Sequence, residues 1–259
     1  MFRIMRKIIF AILIALLSVF CLTILKNSIR FSGRGYDIAL SQVTVLSGPG
    51  FYNLYCPKIN RLRLSPDKTK IAFDIIDSFC KIFFNLGVVN VDGSDKRLLV
   101  RESIDDFVWL NDSEIVYRLS GEEHKDKLYA VNMNGSAREH SEGFDFSHRV
   151  EIPEIAKTRI NRFLKSRYKR HYGSVGGIVN YEVISYAISP DKSRIAFLIM
   201  GSDGHFAYWK PKWYVCSFTG ENIVGIYRDS REVSEDAVWL SNNELMYVKD
   251  SRLWKAVIK

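Results

Sequence analysis

Residues 62–73, LRLSPDKTKIAF, constrain this chain more than any other stretch, because they come back. Residues 187–197 read AISPDKSRIAF, and a variant follows each copy: VWLNDSEIVY at 108–117 and VWLSNNELMY at 238–247. Each copy is a short apolar strand, a polar turn and a second apolar strand closed by an aromatic residue. So small a unit cannot bury its own apolar face, and its recurrence implies units stacked on one another. The turns have their own chemistry. In Ser65-Pro66-Asp67 and Ser189-Pro190-Asp191, proline presets φ at the second turn position, while Ser and Asp can bond back to the backbone.

Around the first copy the pattern predicts strands at 70–76, 83–91 and 96–100, with Asp92-Gly93 as a hairpin turn between two of them. Four short strands in about 40 residues are the content of one propeller blade. A second unit spans 106–140, with Asn134-Gly135 where the first has Asp92-Gly93. A third has Thr219-Gly220 at that place, and the last unit, ending at 253–258, lacks a fourth strand. Residues 36–46 and 51–59 also read as strands. They are expected either to complete the last blade and close the ring, or to add part of a fifth. Closure leaves fewer exposed sheet edges; an open β-array or sandwich is the alternative. The first and third units share Ser-Pro-Asp-Lys, and the second and fourth share Val-Trp-Leu. This alternation implies duplication of a two-blade unit.

Leu64-Ser65-Pro66-Asp67, Ile71-Ala72-Phe73 and Val89-Asn90-Val91-Asp92-Gly93, with Ile188-Ser189-Pro190-Asp191 and Ile195-Ala196-Phe197, resemble the TolB-type β-propeller repeat, a WD-repeat-like module of four strands per blade. The repeats cover roughly residues 60–140 and 183–259. The resemblance implies a propeller scaffold. Two features depart from it. Lys68 and Lys192 stand where the family usually has Gly, so an altered turn is expected, since Lys tolerates positive φ poorly. The chain is also too short for the six or more blades common in the family.

Ahead of the repeats, residues 8–25 are apolar apart from Ser18 and Thr23, behind Arg3, Arg6 and Lys7. That length reaches the lower limit for crossing a bilayer, and no clean small-x-small cleavage site follows. Residues 1–26 therefore read as an uncleaved signal anchor and 27–35 as a linker. The cations ahead of the span favour a cytoplasmic N-terminus with the domain outside.

Charge is local. Residues 1–34 hold six cations and residues 157–170 hold seven, neither with an acid, so the net charge of +8 sits on an otherwise acidic body. A general nucleic-acid surface is not implied. The second basic run coincides with helical spacing of Ile152, Ile155, Ala156, Ile160, Phe163, Leu164 and Tyr168, which predicts an amphipathic helix inserted at about 151–172. Its cations, Lys157, Arg159, Arg162, Lys165, Arg167, Lys169 and Arg170, are the candidate contact for an anionic surface or an acidic partner.

Chemistry is harder to find. The run Gly173-Ser174-Val175-Gly176-Gly177 lacks the features of a phosphate loop or a nucleophile elbow. The five His and four Cys have no metal-ligand spacing, and Cys56, Cys80 and Cys216 could form at most one disulfide. Asp74, Asp77, Asp105, Asp106, Glu235 and Asp236 flank strands and could face a central funnel, as glycosidase carboxylates must. Asp105-Asp106 and Glu235-Asp236 hold equivalent places before the two Val-Trp-Leu strands, which favours a structural turn or cap. No catalytic, cofactor or metal residue is assigned.

The expected molecule is all-β. It is a small propeller of four four-stranded repeats over residues 36–259, with or without a partial fifth blade, one transmembrane helix and one inserted helix. Its expected role is a single-pass, extracytoplasmic scaffold, periplasmic or at the cell surface, that binds a protein or envelope component without catalysis. The alternatives are a glycan- or peptide-processing enzyme using funnel carboxylates, and association with anionic lipid through the basic helix. No nucleic-acid partner is expected.

Overall fold

A computed structural model describes residues 28–33, 36–46, 57–77, 84–124, 127–141, 143–144, 146, 151–167, 180–202, 207–226 and 233–259. The anchor read at 8–25, residues 51–56 of the strand candidate at 51–59, Cys21, Cys56 and Cys80 lie outside these residues. No described helix is long and apolar enough to cross a membrane.

The described chain is mostly β, in four antiparallel sheets arranged as blades. Blade 1 contains β3 (Pro57–Leu64), β4 (Lys70–Asp77), β5 (Phe84–Asn90) and β6 (Arg97–Val100). Blade 2 contains β7 (Ile104–Asn111), β8 (Glu114–Leu119), β9 (Leu128–Asn132) and β10 (Ala137–His140). Blade 3 contains β11 (Asn180–Ile188), β12 (Arg194–Ser202), β13 (Ala207–Ser217) and the two-residue β14 (Val224–Gly225). Blade 4 starts with β15 (Val233–Trp239), β16 (Glu244–Lys249) and β17 (Arg252–Ile258).

The fourth strand of blade 4 comes from the other end of the chain. β2 (Tyr36–Val45) pairs antiparallel with β17, from Ile38 opposite Ile258 to Val45 opposite Arg252. Ile38, Leu40 and Leu46 are buried there. Of the two expected outcomes for 36–46, completion of the last blade is the one found. The linker expectation for 27–35 is corrected: β1 (Ser28–Gly33) doubles back on β2 as a fifth strand of blade 4. It pairs a backbone edge of β2 that would otherwise stand open.

Apolar clusters fill three of the junctions between blades. Ala72, Leu86 and Val88 of blade 1 meet Phe107, Tyr117 and Val131 of blade 2. Met246, Val248 and Leu253 of blade 4 meet Ile59, Phe73 and Ile75 of blade 1. Leu198, Trp213 and Val215 of blade 3 meet Tyr247 and Ala256 of blade 4. The other face of blade 3 is covered by the inserted helix, α1 (Glu154–Arg167), through Ala156, Ile160 and Leu164, with Ile152 just ahead of it.

A substitution between repeats explains why α1 docks on blade 3. In blade 1, Phe73 lies opposite Gly87, and a Cβ on Gly87 would sit 2.7 Å from Phe73 Cζ. In blade 3 the corresponding pair is Phe197 opposite Tyr214. Their rings stack at 5.5 Å, and Phe163 of α1 meets Tyr214 edge-on at 5.3 Å. Tyrosine in place of glycine makes a ledge for the helix. Because Phe73 is fully buried and cannot swing away, Gly87→Ala is expected to lower stability by about 1–3 kcal/mol in urea unfolding. An unchanged midpoint would mean that the ring has room to retreat.

The Ser-Pro-Asp turns keep one geometry despite their lysines. Lys68 and Lys192 take φ of 61° and 57°. The altered turn expected from the missing glycine is therefore not found: the lysines accept the left-handed conformation because the turn around them is tightly bonded. Ser65 Oγ donates to Asp67 and accepts from the Lys70 amide at 2.9 Å; Ser189 Oγ donates to Asp191 and accepts from the Arg194 amide at 3.0 Å. The bond from Ser65, with those from the Thr69 amide and hydroxyl, holds the Asp67 carboxyl well below its ordinary value, at about 2. The turn contributes this stability in full above the unfolded-state value near ~3.9 and loses it as pH falls towards about 2. A carboxyl-carbon NMR titration should give that midpoint for Asp67, and Ser65→Ala should move it up. A Ser65→Ala midpoint that stays low would refute the hydroxyl as the main cause.

Candidate functional site

The four innermost strands, β3, β7, β11 and β15, line an open cavity of about 750 Å³. Most of its wall is apolar: Leu62, Leu64, Val108, Ile184, Ile188 and Val238, with Trp109 and Trp239. Arg63 and Asp236 supply its charge. Ile184 is 37% exposed on this wall, one of two exposed large apolar residues among those described.

The tryptophans hold paired blades together. Trp109 Nε1 donates to the Arg63 carbonyl at 2.9 Å, and Trp239 Nε1 donates to the Ala187 carbonyl at 3.1 Å. Arg63 and Ala187 each stand two residues before the turn serine. The turns are bridged in parallel: the Asp67 amide donates to Asp112 at 2.7 Å and the Asp191 amide to Asn242 at 3.1 Å. Each Ser-Pro-Asp blade is thus joined to its Val-Trp-Leu partner by the same contacts, as duplication of a two-blade unit requires.

Against that repetition, one cluster stands out because it is not repeated. Arg61 and Arg63 of blade 1 correspond to Ser185 and Ala187 of blade 3, and Asp74 corresponds to Leu198. Asp74 is completely buried. It accepts the Arg61 backbone N–H at 2.6 Å, Nε at 2.8 Å and a second guanidinium nitrogen at 2.8 Å. Arg61 also donates to Asp106 at 2.9 Å and to the Asp105 carbonyl at 2.6 Å, which ties blade 1 to blade 2. Arg63 pairs with Asp236, which ties blade 1 to blade 4. Both guanidinium groups lie over the Phe107 ring, at 5.4 and 5.9 Å. Arg118 holds Asp105 at 2.6 Å. Burial pushes the Asp74 carboxyl above its ordinary value, and the Arg61 guanidinium pulls against it.

The expected carboxylates therefore divide. Asp74, Asp105, Asp106 and Asp236 are drawn into one arginine-bridged network. The side chain of Asp77 is not among those described. Asp106 and Asp236, read as equivalent caps, both meet arginines of β3. Sequence reasoning missed Arg61 and Arg63. The signal was available: a charge interrupts the apolar strand IAFDII where the other copy reads IAFLIM. Among the described residues no group of three or more His, Cys, Asp or Glu is placed to hold a metal ion. Cys216 is a free, buried thiol, pushed up to about 12 by desolvation.

No family model matches this chain, and no curated protein matches it. Among solved structures the chain is similar to propeller proteins, TolB-like ones among them. A putative TolB from Agrobacterium tumefaciens is 11% identical, with a TM-score of 0.28 over 86% of this chain and 70% of that one. The β-propeller domain of the Trilobed protease from Pyrococcus furiosus is 14% identical, with a TM-score of 0.28 over 86% and 72%. The AtxE2 isopeptidase is 10% identical, with a TM-score of 0.27 over 74% of this chain, which spans 36% of the isopeptidase's length. At these scores the blade arrangement rests on the chain's own four sheets.

The basic segment forms a helix that starts at Glu154, later than expected, and is rotated. It is described as far as Arg167; Tyr168, Lys169 and Arg170 lie outside the described residues. Ile155, assigned from its spacing to the apolar face, is 51% exposed. The groove on blade 3 is satisfied by the narrower stripe of Ala156, Ile160 and Leu164, with Phe163 beside it. Arg159 is spent on structure, bonding the Thr219 carbonyl at 3.0 Å and Glu221 at 2.8 Å. Lys157 pairs with Glu154 at 3.2 Å. Arg162 and Lys165 are exposed and make no ion pair among the described residues.

Proposed function

We propose that this chain is a membrane-tethered, extracytoplasmic propeller that binds a protein partner of the cell envelope at its central cavity, without catalysis. The state of the carboxylates carries this reading. Asp106, Asp236 and Asp105 are each held by an arginine, and Asp74 is sealed behind Arg61. A general acid or base must reach the proton it moves. The enzyme alternative draws support only from the raised Asp74 carboxyl, a group with no exposed surface. The rest of the wall is apolar and aromatic, with an ion pair at one side, which suits a side-chain anchor ringed by polar contacts.

A photo-crosslinking residue at Ile184 tests the binding. An adduct of protein size should form in cells and disappear when Ala187→Arg fills the cavity. An adduct indifferent to that filling would reject the cavity as the binding face. The tether is tested separately, by adding protease to spheroplasts: the propeller should be digested, and its protection would reverse the orientation.

A further inference from the structure

We propose that the outward stripe of α1, formed by Ile155, Thr158, Arg162 and Lys165, rests on the headgroups of anionic phospholipids. These residues follow a 3-4-3 spacing, which places them on one side of a helix. The opposite side is consumed by blade 3, so this helix does not insert its apolar face into a bilayer. What it presents is a pair of long cations with no acidic partner among the described residues and a single exposed isoleucine beside them. The structure removes three cations of the basic run from this role. Arg159 is committed to Thr219 and Glu221, Lys157 to Glu154, and Arg167 lies 6.0 Å over the Phe163 ring.

Charge complementarity selects the occupant. Arg162 and Lys165, exposed and without an acidic partner among the described residues, are attracted to a negatively charged surface. A flat anionic surface also matches a stripe without a pocket: arginine and lysine reach headgroup phosphates, and Ile155 lies at the depth of the headgroup–acyl boundary. Each cation near such a surface favours contact roughly five-fold, so the two together favour it roughly 25-fold. The proposal rests on the tether reading for its closeness to a bilayer, and the two are tested apart.

The experiment uses the full chain in nanodiscs of phosphatidylcholine alone or with phosphatidylglycerol, read by hydrogen–deuterium exchange. Peptides covering 154–167 should exchange more slowly with phosphatidylglycerol. The difference should shrink in high salt and vanish in R162E/K165E, while exchange in β4 and β12 stays unchanged. R162Q/K165Q, which keeps the side-chain length, should lose most of it. Equal exchange in the two compositions would overturn the proposal. So would equal protection by soluble polyglutamate or DNA, which would make the stripe a general polyanion contact. Flotation with vesicles separates the tether. If the chain floats only with phosphatidylglycerol vesicles and R162E/K165E does not float, the tether fails and the lipid contact stands.

Discussion

Replacing Asp74 by leucine should destabilise the protein by about 3 kcal/mol, the scale for breaking a buried ion pair from one side. Adding Arg61→Ser should return most of that loss. The reason lies in the other half of the molecule. Asp74 receives three N–H bonds from Arg61 in a site with no water access. With leucine at 74, Arg61 keeps its bonds to Asp106 and to the Asp105 carbonyl, but the rest of its guanidinium is left without an acceptor. The equivalent positions of blade 3 are Ser185 and Leu198, which pair across β11 and β12. The double substitution therefore copies a solution this scaffold already contains. Urea unfolding of the wild type, D74L and R61S/D74L decides it. A double variant no more stable than D74L would mean that the two halves are not interchangeable here. If the double variant folds well and the crosslink at Ile184 is lost, the charged cluster serves the partner and not the fold.

What could be read from the residues and what could not divide along physical lines. The Ser-Pro-Asp turns and the Asp-Gly and Asn-Gly hairpins are local chemistry, so units and turns fall where the sequence places them. Pairing between β2 and β17 joins residues more than 200 positions apart, and no local signal reports it; the missing strand of the last unit was the only clue. The role of Trp109 and Trp239 was invisible for a similar reason. Their spacing marks a repeat, but the carbonyls that accept their indole N–H groups belong to the preceding blade. The arginine network was readable in principle, as a disagreement between two copies of one pattern. Asp105-Asp106 and Glu235-Asp236 are where the copies agree. In a duplicated scaffold agreement marks what the fold needs, and disagreement marks where one copy was put to another use. For α1, periodicity identified a helix but overstated its buried face, because the width of that face is set by the groove on blade 3.

A chain that starts at residue 47 should lose its cooperative unfolding transition, and a permuted chain should regain it. Truncation removes Ile38, Leu40 and Leu46, each almost fully buried. At about 2 kcal/mol for each buried side chain, the loss rivals the whole stability of an ordinary domain, about 5–15 kcal/mol. It also opens the edge of β17, which β2 covers along its length. The register shows how to restore it. Ile258 lies opposite Ile38, so the last residues of β17 and the first of β2 are where a hairpin turn would join them. Moving residues 36–46 behind Lys259 through an Asn-Gly turn converts a closure between chain ends into a local hairpin. The permutant should show a single urea transition with the β17 edge covered again by β2, and it should refold faster, because the pairing no longer waits for the two ends of the chain to meet. β1 is absent from this variant. A permutant that stays unfolded would therefore transfer the closing role from β2 to the outer strand, Ser28–Gly33.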